Sequence, residues 1–170
     1  ASIFGDSYIN GGRFTSCSHG GIYFGGSNRH HYIKNATLGN EEYSGRYNFS
    51  EMSNPFYGDF YLGNGAKNMT VYMDNCTLLG YNSILYPERN REYSGVLRST
   101  GGEKNNTLYI SNTNIPDGKK LRVDDGHQVF VGEGTNITEE NITSTSGGKY
   151  LGNATFTNEN YDWEKMTITE

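Results

Sequence analysis

Apolar and polar positions alternate along much of the chain in short runs that break at Gly or Asn. Val71-Tyr72-Met73 and Leu108-Tyr109-Ile110 each set aliphatic residues on both sides of a tyrosine. Successive side chains of a β-strand leave opposite faces, so these triplets put the aliphatics on one face and the Tyr on the other. The pattern predicts many short strands separated by tight turns.

The alternation belongs to a longer phrase that recurs. It reads Tyr8-Ile9-Asn10-Gly11-Gly12-Arg13-Phe14, then Tyr32-Ile33-Lys34-Asn35-Ala36-Thr37-Leu38, then Tyr72-Met73-Asp74-Asn75-Cys76-Thr77-Leu78. It returns as Tyr109-Ile110-Ser111-Asn112-Thr113-Asn114-Ile115 and as Tyr150-Leu151-Gly152-Asn153-Ala154-Thr155-Phe156, and a copy with one inserted residue begins at Phe130. The aliphatics are expected to point inward, and the aromatics outward in a row. At the fourth position the chain must turn, and Asn and Gly tolerate the left-handed backbone that a sharp turn requires. Asn35, Asn75, Asn112 and Asn153 are then expected to line up, as identical amides do in stacked strands. Ala36 and Cys76 follow the turn and suit a tight interior corner.

A second phrase, a short apolar strand with a Gly-rich bend, precedes most copies: Ile22-Tyr23-Phe24, Phe60-Tyr61-Leu62, Val96-Leu97 and Leu121-Arg122-Val123. The aromatic starts at 8, 32, 72, 109, 130 and 150 lie 24, 40, 37, 21 and 20 residues apart. A spacing near 20 with occasional insertions is the signature of a solenoid with loops on one side. An antiparallel β-sandwich also contains many short strands, but ordered copies with a companion phrase favour the solenoid.

In these phrases, from Tyr8 to Phe156, the chain resembles the right-handed parallel β-helix (pectate-lyase-like) family, as in phage tailspikes and appendages and bacterial surface adhesins. The resemblance implies an all-β fold of about six rungs with two inserted loops on one edge. Residues 1–157 are expected to form the β-helix domain, and 158–170 an acidic C-terminal cap or tail carrying Trp163. The matching residues are structural, so the resemblance bears on fold more than on activity.

Composition changes the picture in two places. The hydrophobic fraction of 34% is low for a globular chain, yet 14 Tyr, 8 Phe and 1 Trp argue against disorder. The net charge of −5 lacks the basic stripe that duplex binding needs, and no apolar run is long enough to span a membrane, so neither nucleic acid nor membrane insertion is expected. The two cysteines, Cys17 and Cys76, make no disulfide framework and lack zinc spacing, and two free thiols are expected. No metal or other cofactor is expected. Asn-X-Ser/Thr triplets stand at Asn35, Asn48, Asn68, Asn75, Asn105, Asn136, Asn141 and Asn153. At Asn35, Asn75 and Asn153 the repeat itself accounts for them; the others stay open between sugar attachment and structure.

Function in such a fold is expected on inserted loops or an outer face. One insertion runs from Gly39 to Asp59, the other from Leu79 to Gly95, and both contain Glu-Tyr-Ser-Gly, at 42–45 and 92–95. They follow the same position of the repeat, so they should leave one edge on neighbouring rungs. Their aromatics and charges suit a glycan: Tyr43, Tyr57, Tyr86, Arg89, Glu92 and Tyr93 are the candidate binding residues. The same residue types also pack loops or subunits together. The row Tyr8, Tyr32, Tyr72, Tyr109 and Phe130 is the candidate oligomer interface, and the tailspike resemblance implies a homotrimer. Weak catalytic candidates are Glu42 and Glu92, which are equivalent in the repeat, and Asp124 with Asp125. The run Asp124-Asp125-Gly126-His127 also reads as a simple turn.

The leading expectation is a structural and recognition module on an extracellular or virion surface, binding glycan or a host surface. A polysaccharide-degrading glycosidase or lyase and a self-assembling fibre subunit are the alternatives.

Overall fold

The computed structural model describes residues 1–15, 20–40, 58–63, 65–81, 92–97, 99, 102–144 and 147–152. Among them the chain forms fifteen strands, one short 3-10 turn at Glu139–Asn141 and no α-helix. The strands fall into three sheets that the chain visits in rotation. The first sheet runs in the order β1 (Ser2–Ile3), β4 (Gly20–Phe24), β7 (Gly58–Leu62), β10 (Tyr93–Leu97), β12 (Lys120–Val123), β14 (Ile142–Ser144). The second holds β2 (Ser7–Asn10), β5 (His30–Lys34), β8 (Thr70–Asp74), β11 (Thr107–Ser111), β13 (Gln128–Val131) and β15 (Lys149–Leu151). The third holds β3 (Arg13–Thr15), β6 (Thr37–Asn40) and β9 (Thr77–Tyr81), prolonged by a bridge from Thr77 to Asn114.

Every strand pair is parallel. Each strand therefore pairs with its counterpart one coil away, and the sheets stack as in a β-helix or solenoid. The register matches the sequence phrases: Tyr32 pairs with Tyr8 and Tyr72, and Tyr109 pairs with Tyr72 and Phe130. The core lies between the sheets. Phe24, Phe60, Leu62 and Leu121 from the first meet Ile33, Met73, Leu108 and Ile110 from the second, all with no exposed surface. Val96 lies apart from these residues. It is fully buried but outside this core, in register with Tyr61 and Arg122 on the opposite face of the first sheet.

The turn from second to third sheet uses Asn35, Asn75 and Asn112 at φ 56°, 47° and 46°. Asn75 Nδ2 donates to Asn35 Oδ1 at 2.7 Å, and Asn35 Nδ2 donates to Asn10 Oδ1 at 2.7 Å. Asn112 leaves the amide line and donates instead to Asp74 Oδ1 at 2.8 Å, which also accepts the Ser111 hydroxyl. Asn153 lies outside the described residues. Ala36 and Cys76 are buried at the corner as their size requires, and Cys76 is a free thiol whose burial pushes its pKa up to about 11. Cys17 lies outside the described residues.

A second amide line occupies the bend between first and second sheets. Asn28, Asn68 and Asn105 sit at φ 55°, 54° and 54°, with Asn68 Nδ2 donating to Asn28 Oδ1 at 3.0 Å and Asn105 Nδ2 to Asn68 Oδ1 at 3.2 Å. Replacing Asn75 by Ala is expected to cost about 2 kcal/mol, because alanine resists the left-handed backbone and the amide bond is lost. Asn75→Gly restores the backbone freedom and should lose roughly half as much. Urea denaturation of the two variants checks this; equal losses would remove the backbone part of the explanation.

Candidate functional site

The outer face of the second sheet carries the aromatic row. In β8 and β11 the flanking Val71, Met73, Leu108 and Ile110 point to the core, so Tyr72 and Tyr109 leave the other face. Ring centroids are 4.7 Å apart for Tyr32–Tyr72, 4.8 Å for Tyr72–Tyr109 and 4.7 Å for Tyr109–Phe130, with planes within 14° of parallel. These separations equal the strand spacing of a sheet, so each ring covers the face of the next. The row consequently turns edges and hydroxyls outward, and its inner rings have no free face on which a sugar could stack. Burial, with Tyr32 and Tyr109 beside it, pushes the Tyr72 hydroxyl up to about 12. Tyr8 ends the row, with Lys34 Nζ 5.9 Å from its ring centroid.

Both insertions attach to one corner, where the third sheet hands over to the first. The insertions leave at Asn40 and Tyr81, the last residues of β6 and β9, and these two are register partners. They return at β7 and β10, which pair with each other. Glu42, Tyr43, Tyr57, Tyr86 and Arg89 lie outside the described residues.

Glu92 and Tyr93 are described; Glu92 bonds the Tyr93 hydroxyl, and the Asp124 charge acts on Tyr93 from the next coil. Burial, and then a hydrogen bond to the Glu92 carboxylate, push the Tyr93 hydroxyl up to about 12, with Arg122 and Asp124 near enough to act on its charge. Asp124 itself is held. Arg122 Nε and Nη2 donate to its two oxygens at 2.6 and 3.1 Å, and the Ser99 amide donates to Oδ2 at 3.1 Å. His127 N donates to Asp124 O at 3.2 Å, closing the Asp124–His127 turn, and Asp125 is exposed. These bonds commit the Asp124 carboxylate to the fold.

Beneath the insertion corner lies a group that sequence reasoning did not single out. Asp59, second residue of β7, has no exposed surface. Ser94, also fully buried, donates its hydroxyl to Oδ2, whereas Oδ1 makes no hydrogen bond of normal geometry. Burial pushes the carboxyl up to about 7, against the opposing pull of Ser94, the Gly80 amide and the Lys119 charge. The one available signal is positional: Asp59 aligns with Gly21 in the repeat, a carboxylate where the preceding coil has no side chain.

Buried polar groups elsewhere serve the bends. His31 Nε2 lies 3.0 Å from Gly25 O, an atom that only accepts, so that nitrogen carries the proton and Nδ1 accepts the Ser7 hydroxyl at 2.9 Å. The Asn106 side chain accepts from Met69 N and donates to Ala66 O, and its main-chain N–H donates to His127 Nδ1. Several sequon asparagines also carry structure. Asn35, Asn68, Asn75 and Asn105 make the amide lines, Asn136 brackets both main-chain groups of Ile115, and Asn141 closes the 3-10 turn against Thr138.

No family model, no curated protein and no solved structure matches the chain. Among the described residues no group of three or more His, Cys, Asp or Glu is placed to hold a metal ion, and no helix is long and apolar enough to cross a membrane.

Proposed function

We propose that this chain is a right-handed parallel β-helix of the pectate-lyase-like type that serves as a recognition module on an extracellular or virion surface and binds glycan through its two insertions. The observation that carries this reading is the shared corner. Departure points in register, at Asn40 and Tyr81, start the two insertions on adjoining coils, and in the sequence the candidate residues Tyr43, Tyr57, Tyr86, Arg89, Glu92 and Tyr93 belong to those insertions. Aromatic faces with neighbouring Arg and carboxylate groups suit sugar rings and their hydroxyls. The right-handed sense follows from strand twist, which favours right-handed crossovers between parallel strands. Trimerisation through the outer face of the second sheet completes the proposal; the row Tyr8, Tyr32, Tyr72, Tyr109 and Phe130 offers ring edges for it, and the four tyrosines add hydroxyls. The catalytic alternative finds less support, because Asp124 is tied to Arg122 and Asp59 is shut away from any substrate.

The test is a glycan array followed by titration of the best ligand. Tyr93→Ala should weaken binding by about tenfold or more while the far-ultraviolet spectrum holds, since hot-spot aromatics typically carry 2 kcal/mol or more. A chain that binds no glycan sinks the recognition reading. For the oligomer, Tyr72→Lys is a poor probe, because it removes two ring stacks as well as any contact. Joint replacement of Tyr32, Tyr72 and Tyr109 by Phe keeps the stacks and removes the hydroxyl edges. Light scattering should then show a trimer for the parent chain and smaller particles for the variant, whereas an unchanged mass takes the row out of the interface.

A further inference from the structure

We propose that Asp59, with Ser94 as its hydrogen-bond partner, is a buried proton switch that sets how firmly the anchor points of both insertions are held. The geometry is specific to that corner. Gly39 is the second-last residue of β6 and Gly80 the second-last of β9; Asp59 and Ser94 are the second residues of β7 and β10. Of the four strands that launch or receive an insertion, β7 thus carries the buried carboxyl and the other three each present one residue to it. A Cβ at Gly39, where φ is +103°, would lie 1.8 Å from Asp59 Oδ1, so that oxygen presses against the glycine backbone. Ser94 holds the other oxygen.

The surroundings explain why a proton matters here. From β4, β6 and β9 the neighbours are the glycines Gly21, Gly39 and Gly80; from β10 it is the Ser94 hydroxyl. Among the described residues Lys119, ahead of β12, is the charge that acts on the carboxyl, and its own pKa is lowered, first by burial, with Asp59 opposing. An ionised Asp59 is therefore a buried anion with one unbonded oxygen, whereas the neutral acid avoids that desolvation.

The direction of the effect is fixed by linkage. The unfolded chain releases this proton near 3.8, and the folded chain holds it to about 7. Between those values the folded state carries the extra proton, so stability falls as pH rises through the window and levels off above it. His31 acts oppositely. Its folded pKa lies below 6.5 chiefly because of burial, so its contribution grows with rising pH up to that value. A variant confined to Asp59 leaves the His31 contribution in place.

Native-state hydrogen exchange on the full chain, corrected for intrinsic rates, tests the switch. Protection at 36–40, 77–81 and 93–97 should fall about tenfold or more between about pH 5.5 and pH 8.5 in the parent chain, and should stay level in Asp59→Asn. Protection at 107–111, in the second sheet, should change less. Equal loss at 107–111, or the same loss in Asp59→Asn, overturns the switch. Should Asp59→Asn not fold, the Asp59 carboxyl can be titrated by carbon-13 NMR in the parent chain and in Ser94→Ala. The midpoint is expected near neutrality and higher in Ser94→Ala, which loses a bond that favours the anion; a midpoint below about pH 5 overturns the inference. The readout is exchange and titration rather than ligand binding, so it stands or falls separately from the glycan reading.

Discussion

Replacing Gly21 by alanine is expected to cost about 3 kcal/mol or more, at the top of the range for overpacking a tight interior. The added Cβ would lie 2.4 Å from Gly39 N, 2.5 Å from Asp59 O and 2.8 Å from Phe14 O. All three are main-chain atoms of neighbouring strands, so no side chain can swing aside. Relief requires the first and third sheets to separate where β4, β6 and β7 meet. Gly5→Ala is the matched control, because nothing lies within 4 Å of its Cβ and its backbone is not left-handed. Denaturant midpoints of the two variants give the comparison. A Gly21→Ala chain within about 0.5 kcal/mol of its parent contradicts the sheet contact described here.

Arg122→Ala is the second large loss, about 3–5 kcal/mol, the range for stripping one partner from a buried ion pair. The Asp124 side chain is 3% exposed and would keep only the Ser99 amide. Arg122 also lies over Val96, which has no exposed surface, so truncation uncovers apolar area besides. Arg122→Lys keeps the charge but not the paired geometry to both oxygens and should fall between parent and Ala. If Lys and Ala are equally damaging, two-point bonding is what counts; if both are neutral, Asp124 is better hydrated than its burial indicates. Because Tyr93 feels both Arg122 and Asp124, Arg122→Ala should also weaken any glycan bound at the insertion corner.

The sequons bear on the surface reading. An attached sugar at Asn35, Asn68 or Asn75 would replace one of the two hydrogens of the amide nitrogen that donates to the neighbouring coil and would crowd that bond. Asn-X-Thr in those phrases is accounted for by turn and strand chemistry, and the triplets carry no independent weight for a glycosylated chain.

The repeating coil was legible in the sequence because its determinants are local. Alternation decides which face each of Val71, Tyr72 and Met73 takes, and Asn tolerates the left-handed turn whatever lies above it. Copies of one phrase must stack in phase, which fixes the Tyr ladder before any coordinates are known. The tertiary structure alone decided what depends on the particular neighbour one coil away. Asp59 is buried because the glycines of β4, β6 and β9 close over it. Asn112 turns from the amide line because Asp74 offers a stronger acceptor than Asn75. The Asn28–Asn68–Asn105 line escaped notice because its members sit in dissimilar local phrases and meet only through register. Val96 faces outward because it takes the register place of Tyr61 and Arg122, and Gly95 leaves the inward place before it to the Phe60 ring. A single coil specifies its own bends; it holds no information on which side chain the next coil will set against them.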